Sequence, residues 1–144
     1  MTKKPFLVAK TMLINERNQA LVLRRSIWPG KPARSHQADL PGGKVDNGEL
    51  EHEAAAREIK EETGIVVDSH DLILGYTKTF YDDEKNQSHT KFFYILRIDR
   101  TPDVKLSYEH ESYEWTPVPQ LLEKYEFTEF YDESIRYLIG HGLI

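Results

Sequence analysis

Glu58, Glu61 and Glu62 stand at i, i+3 and i+4 of a segment, Leu50 to Thr63, that is rich in Ala, Glu, Leu, Lys and Arg and free of Pro and Gly. That composition predicts a helix over 50–63, with Gly64 as its C-terminal stop. On a helix the three carboxylates share one face within a single turn. Like charges at this spacing repel, and the backbone dipole near a helix C-terminus disfavours anions, so local physics opposes the arrangement twice. A hard divalent cation such as Mg2+ or Mn2+ offsets both effects, because clustered carboxylate oxygens are its preferred ligands. A solvated acidic face ended by a glycine is the bland alternative. The opposite stripe, Ala55, Ala56, Ile59 and Thr63, is suited to packing against a sheet.

From Gly43 the chain follows the spacing G-x5-E-x7-R-E-U-x-E-E-x-G-U, with U aliphatic. Gly43, Glu49, Arg57, Glu58, Ile59, Glu61, Glu62, Gly64 and Ile65 fill every fixed position. This stretch resembles the Nudix box of the MutT-like Nudix hydrolase superfamily. The resemblance implies an α/β fold, an α/β/α sandwich with a mixed central sheet. It also implies divalent-metal-dependent hydrolysis of a pyrophosphate bond in a nucleoside diphosphate linked to another moiety, foremost a nucleoside triphosphate, ordinary or oxidised. Mg2+ is the implied cofactor, with Mn2+ as its substitute. Glu58 and Glu62 are the implied principal metal ligands, the carbonyl of Gly43 turns towards a metal, and Glu61 is either a further ligand or the base that takes the water proton. Arg57, four residues before Glu61, is close enough on a helix to hold a carboxylate in position. Glu49, near the helix N-terminus, suits a structural or capping role. Glu109, six residues ahead of Trp115, matches a further acidic residue that approaches the metals in members of the family, with Glu111 in reserve.

The substrate is less clearly written. Arg25 matches a position that contacts the nucleotide in oxidised-guanine triphosphate hydrolases, but the Asn those enzymes use is absent from Phe127 to Tyr131. Tyr81, sixteen positions past Ile65, matches a tyrosine of dinucleoside polyphosphate hydrolases and reads equally as a strand-end aromatic. ADP-ribose hydrolases tend to carry a Pro in this region, and none lies between Gly64 and Arg100. Dinucleoside polyphosphate and nucleotide-sugar hydrolysis are therefore alternatives, and a non-catalytic nucleotide sensor is an alternative of another class. Lys31 and Arg34, in a loop with Pro29, Gly30 and Pro32, are either phosphate contacts or solvated loop residues. Trp28 is suited to stacking on a base or to a core.

With no Cys there is no disulfide, thiolate metal site or cysteine nucleophile, which removes the isopentenyl diphosphate isomerase chemistry of related folds. A net charge of -5 argues against long nucleic acid as a partner, though not against a small phosphorylated nucleotide. The apolar runs fall short of the ~20 residues a bilayer requires, and Met1 to Pro5 does not open a signal peptide. The expectation is a cytoplasmic protein, monomer or homodimer, with one domain over 1–144. Its six His residues are expected on loops, ends or an exposed helix face and show no zinc spacing.

The elements that must position these residues are read from periodicity. Strands are expected at Phe6 to Ile14, Ala20 to Arg25, Ile65 to Val67, Leu72 to Tyr81, Thr90 to Asp99 and Glu111 to Val118. Phe92, Tyr94, Leu96 and Ile98 alternate with Phe93 and Ile95, the pattern of a strand covered on both faces. A short helix is expected after Pro119, and a longer one from Thr128 to Ile139 with Gly140 as its stop.

Overall fold

The computed structural model describes residues 5–144; Met1 to Lys4, and with them most of the segment read for a signal peptide, lie outside the described residues. Seven strands form one mixed sheet. β1 (Phe6–Ile14) runs parallel to β6 (Gln87–Arg97) along its whole length, pairing Phe6 with His89 and Ile14 with Arg97. β6 pairs antiparallel with β5 (Ile73–Asp82).

The other edge of β1 is shared. Val8 to Lys10 pair with β4 (Gly42–Lys44), while Ile14 pairs with Ala20 of β2 (Gln19–Arg25). β2 in turn carries β7 (His110–Pro117) on one side and β3 (Ala38–Asp39) on the other. β1 and β2 thus diverge beyond their turn, and the gap between them is filled by the Ala38 to Lys44 segment.

The strand alternation assigns the two cores. Phe93 and Ile95 of β6, with Met12 and Ile14 of β1, face α3 (Glu129–Gly140), whose Phe130, Ile135 and Leu138 complete that cluster. Tyr94, Leu96 and Phe92, with Ala9 and Leu13, face α1 (Glu51–Thr63) and its Ala54, Ala55 and Ile59. A sheet between two helical layers is the expected α/β/α sandwich. Fully buried side chains such as Phe93 and Ile135 each contribute roughly 1.5–3 kcal/mol through burial. The short α2 (Leu121–Lys124) follows a 3-10 turn containing Pro119. No helix among the described residues is long and apolar enough to cross a membrane.

Three expectations are corrected. Ile65 to Val67 forms no strand: Ile65 is buried and Val67 packs on the α1-side core, but Val66 is 67% exposed, so the segment anchors by two side chains without a ladder. Gly140 belongs to α3; the left-handed residue that closes it is Gly142 (φ 67°), whose neighbour Leu143 donates its N–H to the Leu138 carbonyl at 2.9 Å. His110 and His89 are not peripheral. His110 is buried on β7, and His89 is stacked between Phe6 and Phe80 on β6.

Candidate active site

The site is built where the β3–β4 turn meets the acidic face of α1. Gly42 adopts φ 151°, and a side chain there would place its Cβ 2.1 Å from the Ala9 carbonyl oxygen, so only glycine lets β4 lie against β1. At Gly43 a Cβ would stand 2.6 Å from Glu58 Oε1. The paired glycines therefore bring backbone directly onto the helix carboxylates. The N–H of Gly42 donates to Glu62 Oε2 at 3.0 Å.

Glu62 is 3% exposed. Burial pushes its carboxyl up to about 8, against the pull of Lys10 and the Gly42 N–H, with Asp39 and Glu58 adding to the rise. Glu58 is also raised, first by burial, and Arg57 opposes the shift. Two interacting carboxyls held above their ordinary range form a hard oxygen donor set that a divalent cation matches in charge and chemistry.

Glu58, Glu61 and Glu62 do not all converge. Glu62 points inward and Glu58 lies at Gly43, but Glu61 is exposed and bonded to Arg57 at 3.2 Å. Among the described residues no group of three or more acidic or His side chains is placed to hold a metal ion. The Arg57 fork explains the split. Its Nε and Nη2 donate to both oxygens of Glu49 (2.8 and 3.0 Å), its Nη1 reaches Glu58 (3.1 Å) as well as Glu61, and Nη2 also meets the Lys44 carbonyl (3.1 Å). Arg57 thus ties α1 to β4 and to the loop before the helix, with Glu49 as its bidentate anchor. Capping falls to Glu53, which accepts the Leu50 N–H at 3.0 Å.

A cleft of about 820 Å3 opens above the glycines, large enough for a small-molecule ligand. Gly43, Glu62, Arg25 and Glu109 line it, as do Trp28, Lys31 and Arg34 of the β2–β3 loop. Arg25 and Arg34 lie 5.6 and 5.4 Å from the Trp28 ring. Glu111 instead pairs with His36. The structure does not bring Tyr81 to the cleft: it is 62% exposed, and its hydroxyl donates to Asn86 at 2.8 Å.

One cluster escaped sequence reasoning. Asp39, 2% exposed, accepts from Lys10 (3.2 Å), His110 (2.8 Å) and Tyr131 (2.6 Å), and Arg25 lies 3.6 Å away. Burial works against its charge, but Lys10, His110, Arg25 and Tyr131 together hold it well below the ordinary carboxylate range. Lys10 also donates to the carbonyls of Leu40 (3.3 Å) and Gly42 (3.2 Å), fixing the turn that presents Gly42 and Gly43. The available signal was a lysine interrupting the apolar run Phe6 to Ile14.

Comparison with known proteins agrees with this architecture. The NUDIX domain family model matches residues 4–138. The bis(5'-nucleosyl)-tetraphosphatase (asymmetrical) of Mus musculus is 30% identical over 95 residues, 65% of this chain and 65% of that one. A putative 8-oxo-dGTP diphosphatase of Bacillus subtilis (strain 168) is 37% identical over 81 residues, 54% of this chain and 48% of that one. These matches therefore span about half to two thirds of the relatives. The crystal structure of a MutT protein from Methanosarcina mazei Go1 superposes with a TM-score of 0.78 at 26% identity, over 99% of this chain and 98% of that one. The chain belongs to the Nudix family of pyrophosphohydrolases.

Proposed function

We propose that this protein hydrolyses a pyrophosphate bond in a nucleoside diphosphate linked to another moiety, with a nucleoside triphosphate, ordinary or oxidised, as the foremost substrate. The observation that carries this reading is the meeting of Glu58 and Glu62 with the Gly42–Gly43 backbone at a cleft that also presents Arg25. Glu58, Glu62 and the Gly43 carbonyl are the residues to hold Mg2+, or Mn2+ in its place, which when bound lowers the pKa of a water and neutralises phosphoryl oxygens.

The remaining roles belong to the chain itself. Arg57 orients Glu58 and Glu61 from a guanidinium anchored on Glu49. Glu61, the box carboxylate left open to water, takes the proton of the attacking water or adds a ligand. Glu109, exposed at the cleft edge, is a further carboxylate for the metal site. Arg25 contacts the phosphates or the nucleotide from the cleft wall, beside Trp28.

Hydrolysis of dinucleoside polyphosphates is the second reading, favoured by the likeness to the tetraphosphatases. Tyr81 lends it no support from its position. The deciding experiment is a panel of ordinary and oxidised nucleoside triphosphates, dinucleoside polyphosphates, ADP-ribose and NADH with purified protein and Mg2+. Turnover of a triphosphate is expected. Ligand binding without hydrolysis of any compound, followed through its nucleotide products, would mark a sensor instead.

A further inference from the structure

The cleft differs in charge from the chain that forms it. In a protein of net charge -5, seven Lys and Arg side chains line the cleft against four Asp and Glu, a surplus of three. Lys10 and Arg25 are engaged by Asp39. The other five, Lys31, Arg34, Lys44, Lys85 and Lys91, have no carboxylate within salt-bridge distance among the described residues.

They form two walls. Lys31 and Arg34 come from the β2–β3 loop, with Arg34 against Trp28. Lys44 lies over Phe6 at 4.4 Å, and Lys91 over Phe80 and Phe130 at 5.4 and 5.5 Å, on the sheet side, where Lys85 joins them from the β5–β6 turn. Lys91 shows the cost of this crowding: burial and then Lys10, Arg25 and Arg34 lower its pKa. Aromatic faces offset part of that repulsion and hold the ammonium groups in place. Unpaired like charges around one concave site are stabilised by a polyanion, and the charge of that polyanion is set by the surplus. A diphosphate bridging two sugars carries about two charges; a chain of three or four phosphates carries about four.

We propose that this cleft selects its substrate by phosphate count, taking an oligophosphate chain of three or more phosphates held past the scissile bond between Lys31 and Arg34 on one wall and Lys44, Lys85 and Lys91 on the other. This rests on the reading of the cleft as the pyrophosphohydrolase site and narrows its substrate class. Nucleoside triphosphates, dinucleoside tetraphosphates and inorganic oligophosphates share the chemistry, and their separate assay distinguishes them.

The test is a calorimetric titration of the full chain, without added metal, with inorganic pyrophosphate and tripolyphosphate, beside kcat/KM for ATP, a dinucleoside tetraphosphate and ADP-ribose with Mg2+. Tripolyphosphate is expected to bind roughly tenfold more tightly than pyrophosphate, with a steeper loss on added salt. Lys85→Met, on an exposed turn, and Lys91→Met should each bring that ratio to about threefold or less, while Lys105→Met, outside the cleft, leaves it unchanged. Equal binding of the two ions, or a ratio untouched by both cleft variants, overturns the proposal. If tripolyphosphate binds as expected and no nucleotide is hydrolysed, the hydrolase reading falls and the oligophosphate site stands. If ADP-ribose matches ATP in kcat/KM and the two ions bind alike, hydrolysis stands and selection by phosphate count falls.

Discussion

Glu62 combines near-complete burial with a carboxyl raised to about 8, and both properties generate predictions. Its folded pKa lies above the ordinary value of 4.5, so the folded state retains a proton that the unfolded chain has released. Its contribution to stability is fully present below about 4.5 and is lost as pH rises through about 8. Without divalent cation, the melting temperature should therefore fall between about pH 4.5 and about pH 8 and level off above, and Glu62→Gln should flatten that fall. Because a cation must displace the proton, Mg2+ affinity should climb over the same window, which a titration at several pH values measures. With Mg2+ present, Glu62→Gln is expected to lower kcat about 10²–10³-fold with the fold intact by circular dichroism. In the proposed site Arg57 holds Glu58 and Glu61 in place: Arg57→Lys would lose the bidentate grip on Glu49, and metal affinity should drop about 10- to 100-fold.

At the scale of elements, the two adjacent glycines of β4 separate stability from function. A methyl at Gly42 meets backbone of β1 at 2.1 Å, which no rotamer change relieves, so Gly42→Ala should cost about 3 kcal/mol or more in denaturant unfolding. A methyl at Gly43 meets only the tip of Glu58. Gly43→Ala should keep a near-normal melting temperature and lose metal affinity, because the Glu58 carboxyl swings aside. Equal unfolding of both variants would contradict this division. The helix itself was legible: composition placed it over 50–63, and it spans Glu51–Thr63 with Gly64 in the left-handed conformation. Ile65 to Val67 was not, since a run of β-branched residues becomes a strand only where a neighbouring edge is available to pair.

Across the whole molecule, Asp39 joins β1, β7 and α3 to its own β3 through Lys10, His110 and Tyr131. Removing it leaves a buried lysine without its counter-charge and a buried tyrosine hydroxyl without its acceptor. Asp39→Ala should therefore destabilise by about 3–5 kcal/mol, measured by denaturant unfolding. It should also impair turnover, because Lys10 then loses the partner that aligns it with the Leu40 and Gly42 carbonyls. Retention of wild-type stability would show that water or a rearranged Arg25 replaces the carboxylate.

Periodic and spaced features were written into the chain: the box from Gly43 to Ile65, the two-faced alternation of Phe92 to Ile98, and the helix that groups the glutamates. These depend on neighbours a few residues apart, where rise and rotation per residue are set by local geometry. Tertiary structure alone decided that Glu62 turns inward while Glu61 turns out to Arg57, and that Arg25 and Glu109 share a cleft while Tyr81 does not. It alone joined Lys10, His110 and Tyr131 to Asp39, through contacts that reach across as many as 92 positions, from Asp39 to Tyr131. Side-chain direction, burial and charge partnership arise when distant strands pack. No local pattern encodes which of several carboxylates will meet backbone, cation or solvent once they do.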